Sequence, residues 1–464
     1  MDDKTMYIIN FKQPLHIHFI GIGGISMSGL AEILLQEGFT ISGSDSRESD
    51  LTRKLTSLGA VIYYGQSASN IKDDTQLVVY TAAIHPDNPE LREAVRKGLP
   101  TLTRAELLGQ IMDNYKASIG VSGTHGKTTT TSMIAQILLK CDTDPTISVG
   151  GILKSIDGNI RVGNSDIFLT EACEYTNSFL HFHPRYALIL NIEEDHMDFF
   201  KDLDDIRHSF RSFAHNTPAE GGVIINGEIA HYEEIVKDIP GRIITYGLNA
   251  TNEYYATDVQ FHAKGFTNFT FMHHKKALGN VTLNVPGLHN VSNALAAAAL
   301  ATELGISFDC IARALAEFGG TARRFEYKGA LGGITIIDDY AHHPTEITAT
   351  LSAAKNYPHD RIICVFQPHT YSRTKAFLTD FARALSMADV VVLAEIYPAR
   401  EKNTFGISSR DLLLELQKLG TECYYFPSFD EIENFLLKKC INGDLLITMG
   451  AGDILQVGEH LLGQ

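Results

Sequence analysis

Six residues, Gly123-Thr124-His125-Gly126-Lys127-Thr128, stand between an apolar run, "SIGVS", and a helical pattern, "TTTSMIAQIL". A strand that turns through glycines into a helix aims backbone N–H groups and the positive end of the helix dipole at one point, which suits phosphate oxygens. In that setting Lys127 reaches the outer phosphates of a nucleotide and the Thr128 hydroxyl reaches a magnesium ion, while Gly123 to Thr129 form the cradle. The full G-x-x-x-x-G-K-[ST] pattern is not met, because Val121 holds its first glycine position. This is a shortened nucleotide loop, and its plain alternative is an ordinary strand-to-helix turn with a solvated lysine.

A second glycine loop lies about a hundred residues earlier. Gly21-Ile-Gly23-Gly24-Ile-Ser26 approximates G-x-G-x-x-G with serine in third place, and Asp45 ends the next apolar run, 24 residues after Gly21. That spacing suits an acid that contacts a ribose in a dinucleotide fold. Taken alone the signal also fits a tight turn without ligand. The economical account of both loops is a chain that binds two diphosphate-bearing molecules, one as energy source and one as substrate.

Acidic strand ends follow the later loop. "LTEACE" carries Glu171 and Glu174, and "LNIEEDHMD" carries Glu193 to Asp198 with His196. A magnesium ion between phosphates needs hard oxygen ligands, and neighbouring strand ends can supply them, although a single such carboxylate is more often solvated. Further on, "DDYAHHP" sets two acids and two histidines after an apolar run, and "QPHTYSR" adds His369 and Arg373. A planar guanidinium suits a carboxylate or a phosphate. Asn290 and Asn293 of "NVSN" share one helix face, where they contact a base or ribose, or simply cap the helix.

The elements that must position these residues read as α/β. Before Lys116, short apolar runs alternate with helical patterns from about Ser26 to Gln36 and from about Asp50, the rhythm of parallel β-α-β units. A second such unit opens at "KASIGVSG" and changes from Glu253 to Pro286 into an alternating pattern of antiparallel hairpins. The glycine-rich, basic stretch "GGTARRFEYKGALGG" reads as a linker. Beyond it, four apolar runs end in polar or glycine residues, where ligands bind in open parallel sheets. The 464 residues thus suggest three domains, 1–114, 115–322 and 323–464. A net charge of -16, with no basic run, argues against nucleic acid.

No apolar run approaches the roughly 18 residues of a membrane span, and the acidic start lacks a secretory signal. Six scattered cysteines without a C-x-x-C pair indicate neither a disulfide framework nor a zinc site. A cytoplasmic location fits these features. Monomer and dimer both stay open.

Taken in order, "GIGGISMSG", "SGTHGKTTT", "EACEYTNSFL", "EEDHMDFF", "PGLHNVSN", "TARRFE", "DDYAHHPTE", "FQPHTYSRT" and "GAGDI" resemble the Mur ligases of bacterial peptidoglycan synthesis over essentially the whole chain. "DDYAHHP" and "QPH" with its following arginine resemble the branch that joins muramate to alanine. The resemblance implies two Rossmann-like domains around a central P-loop ATPase-like domain. It implies an enzyme that spends ATP, with magnesium, two ions on the family pattern, to form an amide between the lactyl carboxylate of UDP-N-acetylmuramate and L-alanine through an acyl phosphate.

Carried over by motif, Gly21, Gly23, Gly24, Ser26, Asp45 and Thr81 hold the UDP-sugar, and Gly123, Thr124, His125, Gly126, Lys127, Thr128 and Thr129 hold ATP. Thr128, Glu174 and His196 surround metal. Asn290, Asn293, Arg324 and Asp339 contact the nucleotide, with Lys127, Glu174 and His196 in the catalytic set. Tyr340, His342, His369 and Arg373 handle the amino acid and its carboxylate.

Two departures from the family pattern stand out. Thr370 occupies a place where many relatives carry a second arginine, and "RHSFRSF" lacks the lysine that sister ligases carbamylate. Three other readings stay open: a branch that joins a recycled tripeptide to the same nucleotide, a NAD-dependent dehydrogenase, and a nucleotide-gated binding module without amide product.

Overall fold

The apolar runs become strands and the patterns between them become helices, in a computed structural model that describes residues 7–81, 84–156, 158–197, 199–262, 265–399 and 401–464. The chain divides into two compact units. One comprises Met1–Thr131, Leu138–Asp195 and Asp202–Thr245, the other Ser132–Ile137, His196–Lys201 and Tyr246–Gln464.

In the first unit, strands β1 (His16–Ile20), β2 (Thr40–Asp45), β3 (Val61–Tyr64), β4 (Leu77–Tyr80) and β5 (Thr101–Thr103) form an all-parallel sheet in the order β3-β2-β1-β4-β5. Ile17, Phe19 and Ile20 are fully buried, as expected of a strand covered on both faces. The strand order reverses at β1, so the crevice of this sheet opens beyond its carboxyl end, where the first glycine loop begins.

The same unit holds β6 (Ala117–Ser122), β7 (Thr146–Leu153), β8 (Gly158–Arg161), β9 (Ile167–Glu171), β10 (Tyr186–Ile189), β11 (Gly222–Asn226) and most of β12 (Arg242–Gly247), in the order β12-β11-β10-β6-β9-β7-β8. β6 runs parallel to both β9 and β10. It is again the strand at which the order reverses, and the second glycine loop leaves its end.

The second unit begins its hairpins with β13 (Tyr254–Phe261), β14 (Thr267–His273) and β15 (Lys276–Leu283), paired antiparallel as the alternation predicts. Helices Leu288–Glu303 and Phe308–Ala316 follow. Its other sheet contains β16 (Glu326–Leu331), β17 (Ile334–Asp339), β18 (Arg361–Phe366), β19 (Val390–Leu393), β20 (Glu422–Tyr425) and β21 (Asp444–Met449), in the order β16-β17-β21-β18-β19-β20. All its pairs are parallel except β16 with β17. Successive residues feed opposite faces: Ile337, Cys364, Phe366 and Ile447 enter one core, while Ile336, Ile363, Val365 and Leu446 enter another. Each fully buried Leu or Ile contributes about 1.5–3 kcal/mol, which explains why these strands read as near-continuous apolar runs.

One expectation is corrected here. The supposed linker is not a connecting segment, because Glu326–Leu331 is a strand whose hairpin turn is Gly332-Gly333, both with positive φ (58° and 80°). Glycines that look like flexibility are here the turn itself. Among the described residues, Cys173, Cys364, Cys423 and Cys440 are free thiols. Among the described residues, no helix is long and apolar enough to cross a membrane.

Candidate active site

The first glycine loop is held by β2. Gly21 takes φ of 81°, which an L side chain adopts only with strain, and the amides of Gly21 and Ile22 donate to Ser44 O at 2.9 and 3.0 Å. The Gly23 amide donates to Asp45 Oδ2 at 2.8 Å, and a Cβ on Gly23 would meet that oxygen at 2.8 Å. Asp45 therefore fixes the loop from within. Gly24 precedes the helix Ile25–Gln36, Ser26 is exposed in its first turn, and Thr81 is half-buried just after β4. Beneath the loop lies Glu90, which the sequence reading missed: a fully buried carboxylate that accepts from Ser44 Oγ at 2.6 Å, from Asn70 Nδ2 and from the Ser67 amide, and sits 3.4 Å from His18 Nε2. Burial alone would raise its pKa, but these donors hold it below the ordinary value. No local motif marks it, because its partners come from separate strands and turns.

The second loop needs its glycines for the same reason. Gly123 has φ of 146°, and a Cβ there would lie 2.9 Å from Leu190 Cβ; Gly126 has φ of 83°. Asn191, also missed, clasps the loop. Its Oδ1 accepts from the His125 amide at 2.7 Å and its Nδ2 donates to His125 O at 3.0 Å. Its place just beyond the end of β10 was the available signal. Thr124 Oγ1 accepts from the Glu193 amide at 2.9 Å, and the His125 ring lies 3.5 Å from Glu193. Thr129 is buried in the first turn of the helix Lys127–Lys140.

Lys127 folds back onto this framework. Its Nζ donates to the carbonyls of Gly123 and Thr124 and lies 2.9 and 3.1 Å from the two oxygens of Glu174, which is 2 % exposed. Burial would lower the lysine pKa, but Glu174, with Cys173 and Glu171 adding negative potential, pushes it above the ordinary lysine value. Thr128 Oγ1 donates to Glu171 Oε2 at 3.2 Å, and Glu171 also accepts from the Gly150 amide at 2.8 Å. A hydroxyl with two buried or half-buried carboxylates is the hard-oxygen donor set that magnesium prefers, so these residues fit that ion. After Glu174 the backbone turns sharply through Thr176 and Asn177, both left-handed. His196 belongs to the second unit, is left-handed at φ of 53°, and its carbonyl accepts the amides of Phe199 and Phe200.

The remaining predicted residues lie in the second unit. Asn290 Nδ2 donates to Pro286 O at 2.7 Å, and Asn293 Nδ2 donates to Asn290 Oδ1 at 3.2 Å, so the two carboxamides are one buried pair. Asp339 ends β17 and accepts from the amides of Phe325 and Ala341 and from Thr350 Oγ1. Burial raises its pKa to about 6, although Arg324 and these amides oppose the shift. The Arg324 guanidinium sits 5.2 Å from the centre of the Tyr340 ring and 3.8 Å from Glu346. Glu346 also accepts the His342 amide at 3.0 Å, which makes it the organiser of a motif whose histidines drew the attention. His342 packs edge-on to His369, His369 stacks on Tyr397, and the Arg373 guanidinium lies 3.2 Å from His369 Nδ1. Thr370, left-handed at φ of 67°, caps the following helical turn through its hydroxyl, with 3.4 Å to the Arg373 amide.

The models of the Mur ligase family, catalytic domain, the Mur ligase middle domain, and the Mur ligase, glutamate ligase domain match residues 16–116, 121–301 and 323–452. A UDP-N-acetylmuramate–L-alanine ligase of Agathobacter rectalis is 65 % identical over 98 % of this chain and 100 % of its own length. This chain belongs to the Mur ligase family. Among solved structures, this Mur ligase is similar to a UDP-N-acetylmuramate–alanine ligase of Thermotoga maritima, with 31 % identity, a TM-score of 0.77, and coverage of 97 % of this chain and 98 % of that one. It also resembles a murein peptide ligase of Psychrobacter arcticus, at 25 % identity and a TM-score of 0.65 over 97 % of this chain and 98 % of that one. The α/β class and the three successive Mur ligase domains expected from the sequence are both found.

Proposed function

We infer that this Mur ligase catalyses ATP-dependent formation of the amide between the lactyl carboxylate of UDP-N-acetylmuramate and the amine of L-alanine, a step in making peptidoglycan precursors. The observation that carries this reading is the end-to-end 65 % identity with a ligase of that name, and the lysine–carboxylate pair at the phosphate loop gives it a chemical basis.

In this reading the carboxylate oxygen attacks the terminal phosphorus of ATP, the bridging P–O bond breaks, and ADP leaves. The amine then attacks the acyl carbon, inorganic phosphate departs with the former carboxylate oxygen, and the amine gives up a proton. Lys127 moves from Glu174 to the outer phosphates and offsets their charge during the transfer. Gly123 to Thr129 orient the phosphates through backbone amides, while Asn290, Asn293, Arg324 and Asp339 contact the nucleotide. Gly21, Gly23, Gly24, Ser26, Asp45 and Thr81 seat the UDP-sugar, and Tyr340, His342, His369 and Arg373 receive the amino acid. Thr128, Glu174 and His196 would hold magnesium, two ions in all. When bound, that metal neutralises phosphate charge and polarises the transferring group. The domains are 1–114, 115–322 and 323–464, and the enzyme works in the cytoplasm.

Release of ADP tests this directly. With UDP-N-acetylmuramate, ATP and magnesium, L-alanine should support turnover far better than glycine, L-serine or a free recycled tripeptide. Faster turnover with the tripeptide would reassign the chain to the recycling branch, and ATP binding without any amine-dependent ADP would reduce it to a binding module.

A further inference from the structure

The hairpin turn between β14 and β15 carries chemistry that the ligase reaction does not use. His273 and His274 sit at its tip, and Glu253 immediately precedes β13 beside them. One carboxylate oxygen, Glu253 Oε1, lies 3.3 Å from His273 Nε2 and 3.3 Å from His274 Nε2, and all three ligand atoms fall within 4.8 Å of one another. We propose that Glu253, His273 and His274 form a binding site for a divalent transition-metal ion of the zinc class.

The distances are compatible with a shared metal ion. The His273 contact is a long hydrogen bond and the His274 contact is equally long, both at 3.3 Å, where a charge-assisted imidazole–carboxylate bond closes to about 2.7–2.9 Å. Two ligands on one tetrahedral zinc ion, each about 2.0–2.1 Å from it, stand roughly 3.3–3.4 Å apart, which is the separation of both pairs. Two imidazoles with one carboxylate are a donor set for borderline transition ions, whereas magnesium or calcium would call for more oxygens.

The scaffold orients these ligands. Tyr254 pairs directly across the sheet with His273, and their rings stack 4.3 Å apart at 2°. The Tyr254 hydroxyl donates to Glu303 Oε1 at 2.9 Å, which anchors that ring. His274 and Lys275 are both left-handed, at φ of 44° and 66°, in a two-residue turn where asparagine and glycine are the usual occupants. The His274 amide donates to Glu253 O at 3.0 Å, so the strained turn holds the second imidazole beside the carboxylate. The His274 side chain is 69 % exposed and Glu253 15 %, which leaves one side of the group open to water or a further ligand.

Titration calorimetry of the full chain with zinc chloride, in saturating magnesium, tests the site. His274→Asn keeps a residue that tolerates the left-handed turn and removes the imidazole, and Glu253→Gln keeps shape and removes charge. Wild type should bind one zinc ion that each variant binds at least tenfold more weakly, while ADP release with magnesium stays at the wild-type rate in His274→Asn. Copper(II) added at one equivalent should show nitrogen hyperfine coupling from two imidazoles in the wild type, reduced to one in His274→Asn. Zinc isotherms that are the same in wild type and both variants, or a wild type that binds no zinc, would overturn the proposal.

Discussion

Lys127 and Glu174 close on each other beside the phosphate loop, the ammonium 2.9 Å from one carboxylate oxygen and 3.1 Å from the other. Each is a charge taken largely out of water, so each depends on the other, and removal of one partner from such a pair costs about 3–5 kcal/mol. The pair also couples the loop to the strand end that our reading assigns to magnesium. A lysine whose folded pKa is raised keeps its stabilising charge throughout the range below its unfolded value of 10.5. Titration of Lys127 therefore plays no part at neutral pH.

Glu174→Gln separates the structural and chemical roles of that carboxylate. The amide retains size and one acceptor but has no charge for metal or lysine. Turnover should fall by about 10²-fold or more even in excess magnesium, with a lowered melting temperature that remains well above the assay temperature. ADP release and circular dichroism on the same sample give the answer. A folded variant with near-normal turnover would leave Glu174 as a structural ion-pair partner only.

Gly23→Val addresses the first loop. The added Cβ would press on Asp45 Oδ2 at 2.8 Å and on Thr52 Cγ2 at 3.0 Å, so the loop must move away from β2 and lose the Gly23–Asp45 bond. If the loop seats the UDP-sugar, KM for UDP-N-acetylmuramate should rise at least tenfold while KM for ATP changes by less than about twofold. Equal increases for both substrates would mean that no separate UDP site depends on Gly23.

Asp339 gives a pH dependence whose sign follows from its environment. Its folded pKa of about 6 lies above the ordinary 3.8, so between these values the folded state binds a proton that the unfolded state has lost. Stability from this group is therefore greatest below pH 4 and declines as pH rises towards 6, by about 3 kcal/mol in all. In Asp339→Ala the three donated hydrogen bonds are lost at every pH, but this decline disappears. Urea unfolding should show the advantage of wild type over the variant shrinking from pH 4 to pH 6 and then levelling. A constant difference across that range would place the carboxyl pKa near its ordinary value.

Much of this was legible in the sequence because the decisive features are local. Gly21, Gly123 and Gly126 are required by backbone angles at the ends of β1 and β6, and the period-2 cores of β17, β18 and β21 follow from apolar runs. What escaped depends on contacts distant in sequence. Glu90 gathers donors from residues 18, 44, 67 and 70, and Asn191 reaches back 66 positions to His125. Gly332-Gly333 was misread for another reason: glycine signals a tight turn and a loose connection equally well, and only the partner strand decides between them.

The most discriminating test concerns which phosphate of ATP reacts. Lys127 and Thr128 stand where a P-loop serves the outer phosphates, so attack should occur at the terminal phosphorus and release ADP. An enzyme that adenylates its carboxylate must instead expose the innermost phosphate and release pyrophosphate. When the lactyl carboxylate is labelled with heavy oxygen, one labelled atom becomes the bridge of the acyl phosphate. That bridge breaks on the acyl side when the amine attacks, so the label should leave in inorganic phosphate, one atom per amide formed, as read by mass spectrometry. AMP among the products, or unlabelled phosphate alongside amide, would exclude the acyl-phosphate route and require a different role for the Lys127–Glu174 pair.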